Sequence, residues 1–336
     1  MSAPVVLFAL QEGTKAKFFP GFKPGDLPAI QEVWIDPARL KAGEWKDVLA
    51  AHKPEVVVSC WETPRVPEDL VKSGKIPLRY VCHLTGSVKG LVSRDMIRDG
   101  LIVSNWGNTI SHTIAEHALL LILGALRCMT VWRSHMERSF ANKEDIPTRT
   151  LHGKRIGIHG FGAIARHLVS LLKPFGVSLS SYSAGVPAAL FAEHGVRRCD
   201  SLEELVSGID VMVECEAWTP QTKGSVDARI LGLLPEGAVF VNVGRGALVD
   251  EDALARLGAE GKLVVALDVY QQEPLPLDSP FMRIPDALLS PHIAGPTQDA
   301  LPLCGDLALS NLRHYLSGEP GQIKGLVSLE IYDRTT

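Results

Sequence analysis

An arginine, two carboxylates and an imidazole each stand just beyond an apolar run: Arg245 after 238–243, Asp268 and Glu273 after 263–267, and His292 after 287–290. These residue types suit hydride transfer at a carbon that bears oxygen. A guanidinium grips a carboxylate through two parallel N–H bonds and polarises the carbonyl beside it. An imidazole gives a proton to the carbonyl oxygen as hydride arrives, or removes it in the reverse direction. Glu273, bonded to that imidazole, would orient it; Asp268 is a second candidate for the same place, or for a contact with whatever carries the hydride. Taken singly, each has a plainer reading: Arg245 as a turn arginine between glycines, Glu273 as a loop charge before a proline, His292 as a donor to a neighbouring carbonyl.

The element that would position them lies upstream. Residues 154–166 read Lys-Arg-Ile-Gly-Ile-His-Gly-Phe-Gly-Ala-Ile-Ala-Arg, an apolar strand running through a Gly-x-Gly-x-x-Ala turn into an amphipathic helix that extends to about residue 175. Gly160 permits the tight turn, Gly162 lets the backbone approach a pyrophosphate, Ala165 keeps the helix close to the strand, and the helix start offers free N–H groups. With a strand before it and a helix after it, the turn meets the context required of a dinucleotide site. In open α/β sheets ligands bind beyond the carboxyl ends of the strands, so arginine, carboxylate and imidazole converge on the rim that the glycine turn also occupies. Nicotinamide would carry the hydride.

Around this unit, strands alternate with helical segments, which implies parallel α/β sheets. Strands are expected near 5–10, 55–60, 78–84 and 101–104, with helices near 40–51 and 92–98. A long helix is expected from 111 to 135, then a polar stretch at 142–150. After the glycine turn, strands are expected near 177–183, 210–215, 238–243, 263–267 and 287–290, and a closing helix near 298–316. A dinucleotide unit in mid-chain suggests that the chain leaves one domain, builds another and returns. The expected fold is two doubly wound parallel-sheet domains: a Rossmann domain over 107–297, inserted into a flavodoxin-like substrate-binding domain made of 1–106 and 298–336, with ligand between them.

Composition excludes other classes. The 336 residues are 46% hydrophobic and 21% charged, with a net charge of -4, so no electrostatic case exists for nucleic acid or an anionic membrane. The longest apolar run, 118–126, is too short to span a bilayer, and no secretory signal is visible at the start. Six scattered cysteines without a Cys-x-x-Cys pair fit apolar thiols in a reducing compartment, and the expectation is a cytoplasmic protein. His112 and His117 lie five apart on one helix and make a poor metal pair, His159 reads as core, and no metal site is expected.

Four motifs carry a resemblance over nearly the whole length: Gly-Ile-His-Gly-Phe-Gly-Ala-Ile-Ala-Arg (157–166), Val-Asn-Val-Gly-Arg-Gly-Ala-Leu-Val-Asp (241–250), Ala-Leu-Asp-Val-Tyr-Gln-Gln-Glu-Pro (266–274) and Ser-Pro-His-Ile-Ala-Gly (290–295), with Ile-Ala-Glu-His (114–117) in addition. The chain resembles the D-isomer-specific 2-hydroxyacid dehydrogenases, among them glyoxylate/hydroxypyruvate reductases, D-lactate dehydrogenases and phosphoglycerate dehydrogenases. The resemblance implies an NAD(P)-dependent oxidoreductase that interconverts a small D-2-hydroxy acid and its 2-keto acid. It implies Arg245 as the substrate anchor, His292 as acid/base, Glu273 as its partner and Asp268 at the nicotinamide carboxamide. Substrate contacts are expected at Gly86, Ser87 and Arg245. Cofactor contacts are expected at Gly160, Phe161, Gly162, Ala163, Ile164, Ser183, Val243, Gly244, Asp268, His292 and Gly295. A homodimer joined through the helix after residue 110 is also implied.

Two departures bear on specificity. The family's Gly-x-Gly-x-Asp-Asn loop here reads Thr-Gly-Ser-Val-Lys-Gly (85–90); Gly86 and Ser87 still offer N–H groups, and Lys89 is either a further substrate contact or a solvated lysine. The acidic residue that usually takes the adenosine ribose, about 20 residues past the glycines, is Ser183. Serine removes repulsion against a 2′-phosphate, yet no basic residue follows closely, and Arg197 and Arg198 reach it only if the loop folds back. The balance leans to NAD(H), with NADP(H) left open. A corepressor-like nucleotide sensor with little turnover is the rival reading; the chain's end soon after the closing helix favours the enzyme. Formate dehydrogenases usually carry glutamine at the place of Glu273; phosphoglycerate dehydrogenase activity is left open, with no regulatory domain of that kind expected after residue 336.

Overall fold

The computed structural model describes residues 3–23, 25–28, 30–138 and 145–334. Residues 142–144 of the polar stretch therefore lie outside the described residues. The chain divides into two compact units, Met1–Ile110 with Pro296–Thr336, and Ser111–Gly295; the sequence reading put these divisions at 106/107 and 297/298.

The first unit holds five parallel strands: β1 (Val5–Ala9), β2 (Gln31–Ile35), β3 (Val56–Ser59), β4 (Tyr80–His83) and β5 (Ile102–Ser104), in the order β2-β1-β3-β4-β5. This is the flavodoxin-like order. The strands β3 and β4 are buried along their whole length, as expected of strands covered on both faces, and they therefore show as unbroken apolar runs. Both chain ends build this unit. The helix Leu301–Leu316 supplies buried Asn311, whose amide exchanges two 2.9 Å hydrogen bonds with the backbone of Lys324, and Tyr315, whose hydroxyl donates to Glu55 at 2.9 Å.

The second unit holds seven parallel strands: β6 (Arg155–His159), β7 (Ser178–Tyr182), β8 (Arg197–Arg198), β9 (Val211–Glu214), β10 (Ala238–Asn242), β11 (Leu263–Leu267) and β12 (Leu288–Leu289). Their order, β12-β11-β10-β9-β6-β7-β8, is that of a Rossmann sheet with one added edge strand, and its direction of winding reverses between β6 and β9. Apolar clusters cover both faces, one around Phe240, Leu254 and Phe281 and one around Ile122, Leu168 and Val241.

Three differences from the sequence reading have plain causes. The edge strand β2 begins with Gln31 and Glu32 and is nowhere fully buried, so its apolar run is only Val33, Trp34 and Ile35. The edge strand β8 is two exposed arginines. The helix expected over 111–135 is interrupted: Ser111–Leu126 is followed by a 3-10 turn at Met129–Val131 and a second helix, Trp132–Arg138. The break is at Cys128, which adopts the left-handed conformation with φ 52°, and the Trp132 indole donates to the Arg127 carbonyl at 2.7 Å.

A left-handed non-glycine residue is strained by about 1–2 kcal/mol, and glycine gives back part of that gain as chain entropy. Cys128→Gly is thus expected to hold or raise stability by up to about 1 kcal/mol. A urea titration of wild type against the variant measures it, and a clear loss of stability would count against the assigned backbone geometry.

Candidate functional site

The register of the second sheet brings the polar residues into line. Asn242 pairs with Leu267, and Leu267 with Leu289, so β10, β11 and β12 end at one level. The ladder continues one step further: the Asp268 N–H donates to the Asn242 carbonyl at 3.0 Å and the Ser290 N–H to the Leu267 carbonyl at 2.8 Å. The three loops that follow carry Arg245, Glu273 and His292.

Glu273 pairs with His292. Its Oε2 lies 2.6 Å from His292 Nδ1, and its Oε1 accepts the Tyr270 N–H at 3.0 Å, so the carboxylate is held from both sides and the other imidazole nitrogen remains the one to face a reactant. The side chains of His292 and Glu273 are 45% and 35% exposed, accessible to a small molecule. Arg245 joins them through Gly246. A Cβ at Gly246 would lie 2.0 Å from the Tyr270 carbonyl carbon; only glycine lets the arginine loop lie against the segment that leads to Glu273. Buried Asn242 ties the same loop, donating to the Arg245 carbonyl at 3.1 Å and accepting the Gly244 N–H at 2.9 Å. The Arg245 guanidinium reaches solvent but stands among many protein atoms, and this desolvation lowers its pKa from the usual guanidinium range while the Glu273 charge opposes the fall. It stays cationic at neutral pH.

Asp268 does not pair with His292. It is 1% exposed and accepts from Ser290 Oγ at 2.6 Å and from the Ile293 and Ala294 N–H groups at 2.9 and 3.0 Å, with His117 Nε2 3.4 Å away. Burial alone would raise its pKa, but the bonds from His117, Ser290 and the two amides outweigh it and hold the group below the ordinary aspartate value. These bonds shape the loop that carries His292, a non-glycine residue at φ 54°. Such a conformation is sustained only where its surroundings over-determine it; here the His292 N–H donates to the Asp268 and Ser290 carbonyls at 2.9 and 3.0 Å.

The glycine turn fits a dinucleotide. Gly160 sits at φ 96°, and a Cβ on it would come within 2.7 Å of the Glu216 backbone. At Gly162 and Gly295 a Cβ would meet nothing within 4 Å, so the space over both is open. Gly162 caps the helix Ala163–Leu172 without a side-chain bond, leaving the first-turn N–H groups, from Ala163 and Ile164 onward, for an anion. Phe161 turns inward, 1% exposed and stacked on Phe191 at 4.3 Å, and offers its backbone alone. Val243 is buried, and Gly244 packs closely against Cys215 and Glu216. Ser183, at the end of β7, donates to Glu216 Oε2 at 2.6 Å. Arg197 and Arg198 pair with Glu204 and Asp200.

In the first unit, Gly86 and Ser87 follow β4. His83 anchors their loop through Thr85 Oγ1 at 2.6 Å and Ser59 Oγ at 2.9 Å, and burial pushes its pKa down to about 4, so it is a neutral hydrogen-bonding strut. Asn105 donates to the Gly86 carbonyl at 2.6 Å and the Trp106 ring lies against Gly86. Trp61, 61% exposed, meets Trp106 edge-on. Lys89 Nζ approaches the Asp333 carbonyl at 3.4 Å, so it is engaged with the C-terminal segment. Sequence reasoning passed over Asn105, Asn242, Trp61, Trp106 and the Glu214–Glu216 pair; for the last, two acids at the end of an otherwise apolar strand were the available signal. Among the described residues no group of three or more His, Cys, Asp or Glu side chains is placed to hold a metal ion, and no single helix is long and apolar enough to cross a membrane.

Residues 119–294, more than half of the chain, match the NAD-binding domain of the D-isomer specific 2-hydroxyacid dehydrogenases. The chain belongs to that family. It is 29% identical over 275 residues to a D-3-phosphoglycerate dehydrogenase of Methanocaldococcus jannaschii, covering 82% of this chain and 52% of that protein. It thus spans about half the length of that relative. It is 28% identical over 275 residues to 4-methyl-2-oxopentanoate reductase A of Aspergillus oryzae, covering 81% of this chain and 82% of that one. Among solved structures, a glyoxylate reductase from Paecilomyes thermophila shares the fold with a TM-score of 0.78 at 22% identity, covering 98% of this chain and 100% of the other.

Asp268→Asn would set an amide N–H₂ against backbone donors in a buried place, at a cost of about 1–3 kcal/mol. Because the folded-state pKa of Asp268 is depressed, its contribution is present above the unfolded value near 3.8 and is lost as pH falls through the folded value. The variant is therefore expected to unfold at lower urea than wild type at pH 7, with the gap closing only in strong acid. A gap that is already closed at pH 5 would contradict this.

Proposed function

We propose that the chain is an NAD(P)H-dependent oxidoreductase of small 2-keto acids and D-2-hydroxy acids, with Arg245, Glu273 and His292 as its catalytic residues. The observation that carries this reading is the 2.6 Å His292–Glu273 pair, set on the same strand-end rim as Arg245 and the open glycine turn. When bound, the nicotinamide supplies or accepts the hydride. Arg245 holds the substrate carboxylate and draws electron density from the adjacent carbonyl. His292 gives its proton to the carbonyl oxygen in reduction and takes the hydroxyl proton in oxidation, while Glu273 keeps the ring in one orientation. In the first unit, Gly86 and Ser87 offer backbone N–H groups of a kind suited to a carboxylate. The turn at Gly160–Ile164 would hold the pyrophosphate, and Asp268, Val243, Gly244 and Gly295 would line the nicotinamide side. A homodimer through the segment after residue 110 is supported by its exposed Leu120, Trp132 and Met136, and a cytoplasmic setting by the free cysteines.

His292→Ala is expected to lower turnover by about 10²–10⁴ with dinucleotide binding retained, followed as NADH or NADPH oxidation against glyoxylate, hydroxypyruvate, pyruvate and bulkier keto acids. Near-normal turnover would remove His292 from the reaction. In Glu273→Gln the imidazole loses the carboxylate that fixes its orientation, so turnover should fall by about tenfold or more with dinucleotide binding retained; wild-type turnover in that variant would refute the pairing's role. Dinucleotide titrations with no turnover on any acid of the panel would sink the proposal as a whole.

A further inference from the structure

We propose that Glu216, delivered by β9, takes the adenosine ribose in place of the acidic residue usually found at the end of β7, and so sets a preference for NAD(H) over NADP(H). This rests on the reading of the glycine turn as a nicotinamide dinucleotide site.

Three observations place Glu216 there. The first is topological: β9 and β6 are the neighbours between which the sheet reverses its winding, and ligands of such sheets lie in the crevice at that point. The second is contact: the Glu216 backbone covers Gly160 so closely that a Cβ on the glycine would lie 2.7 Å away. The third is the bond to Ser183, the residue that occupies the usual ribose-binding position, at 2.6 Å. The carboxylate that Ser183 lacks is thus restored from the adjacent strand.

The carboxylate is fixed but not saturated. Oε1 accepts the Ala217 N–H at 2.8 Å and Oε2 accepts the Ser183 hydroxyl. Two carboxylate oxygens offer about four acceptor positions, which leaves capacity for the two ribose hydroxyls as donors. A 2′-phosphate brings negative charge and no donor, so the same group repels it. The backbone of Glu216 is itself pinned from below. Its N–H donates to Glu214 Oε1 at 2.9 Å, and Glu214 Oε2 lies 2.6 Å from His159 Nδ1, with both members of that pair buried. Arg197 and Arg198 on β8 are paired with Glu204 and Asp200.

The test is a fluorescence titration of the full chain with NADH and with NADPH, alongside thermal unfolding of each variant. Wild type is expected to bind NADH at least about tenfold more tightly than NADPH. Glu216→Gln, nearly isosteric, should shrink that ratio by about tenfold, the size of one lost charge-assisted contact. Ser183→Ala keeps the charge and frees its orientation, and should shrink the ratio by a smaller factor; it serves if Glu216→Gln unfolds. Ratios unchanged in both folded variants, or a wild type that favours NADPH, overturn the role of Glu216 alone. A chain that binds neither dinucleotide overturns the reading of the glycine turn, and this inference with it.

Discussion

A single buried carboxylate organises the rim on which the candidate chemistry sits. Asp268 follows the last residue of β11 and accepts from a serine hydroxyl and two consecutive backbone amides. Removed from water, a carboxylate is tolerable only when such donors surround it. Those donors belong to the segment 290–294, so satisfying the charge dictates the path of that segment, including the left-handed backbone of His292. Glu273 needs only a short further stretch of chain to meet the imidazole. The pairing that suits proton transfer is thus secured by a residue that need not take part in it.

The same economy recurs at the centre of the sheet. The His159–Glu214 pair is buried beneath the glycine turn, where the pull of Glu214 outweighs the desolvation that opposes a charged ring, and the His159 pKa is raised. A buried pair of this kind is a weak source of stability, but it fixes the backbone that follows β9. Both sites therefore use interior charge to direct the loops that follow their strands.

The fold and the principal site were legible because they are local. Buried parallel strands leave unbroken apolar runs, and Gly160, Gly162, Gly244 and Gly246 sit where the backbone must turn or be approached closely. Arg245, Glu273 and His292 each follow a recognisable strand, so their convergence needed only the rule for strand ends. What escaped depends on pairing across strands. β2 and β8 lie at edges, where burial is partial and the apolar signature fades. His159 reads as core because its partner is 55 residues away, and Ser183 reads as a missing acid because the acid arrives from β9. The helix interruption at Cys128 escaped because a cysteine in the left-handed conformation leaves no mark in composition.

The first unit is closed by residues from both ends of the chain, with Asn311 and Tyr315 of the last long helix bonded to Lys324 and Glu55. During synthesis, the nascent sheet of β1–β5 waits for nearly two hundred further residues before that helix leaves the ribosome. The intervening unit, whose strands are contiguous in the chain, completes its own core in the meantime, since domains fold as units while translation proceeds. The part of the protein translated first is therefore the part finished last, and until then the apolar surface that the helix covers stays open to water.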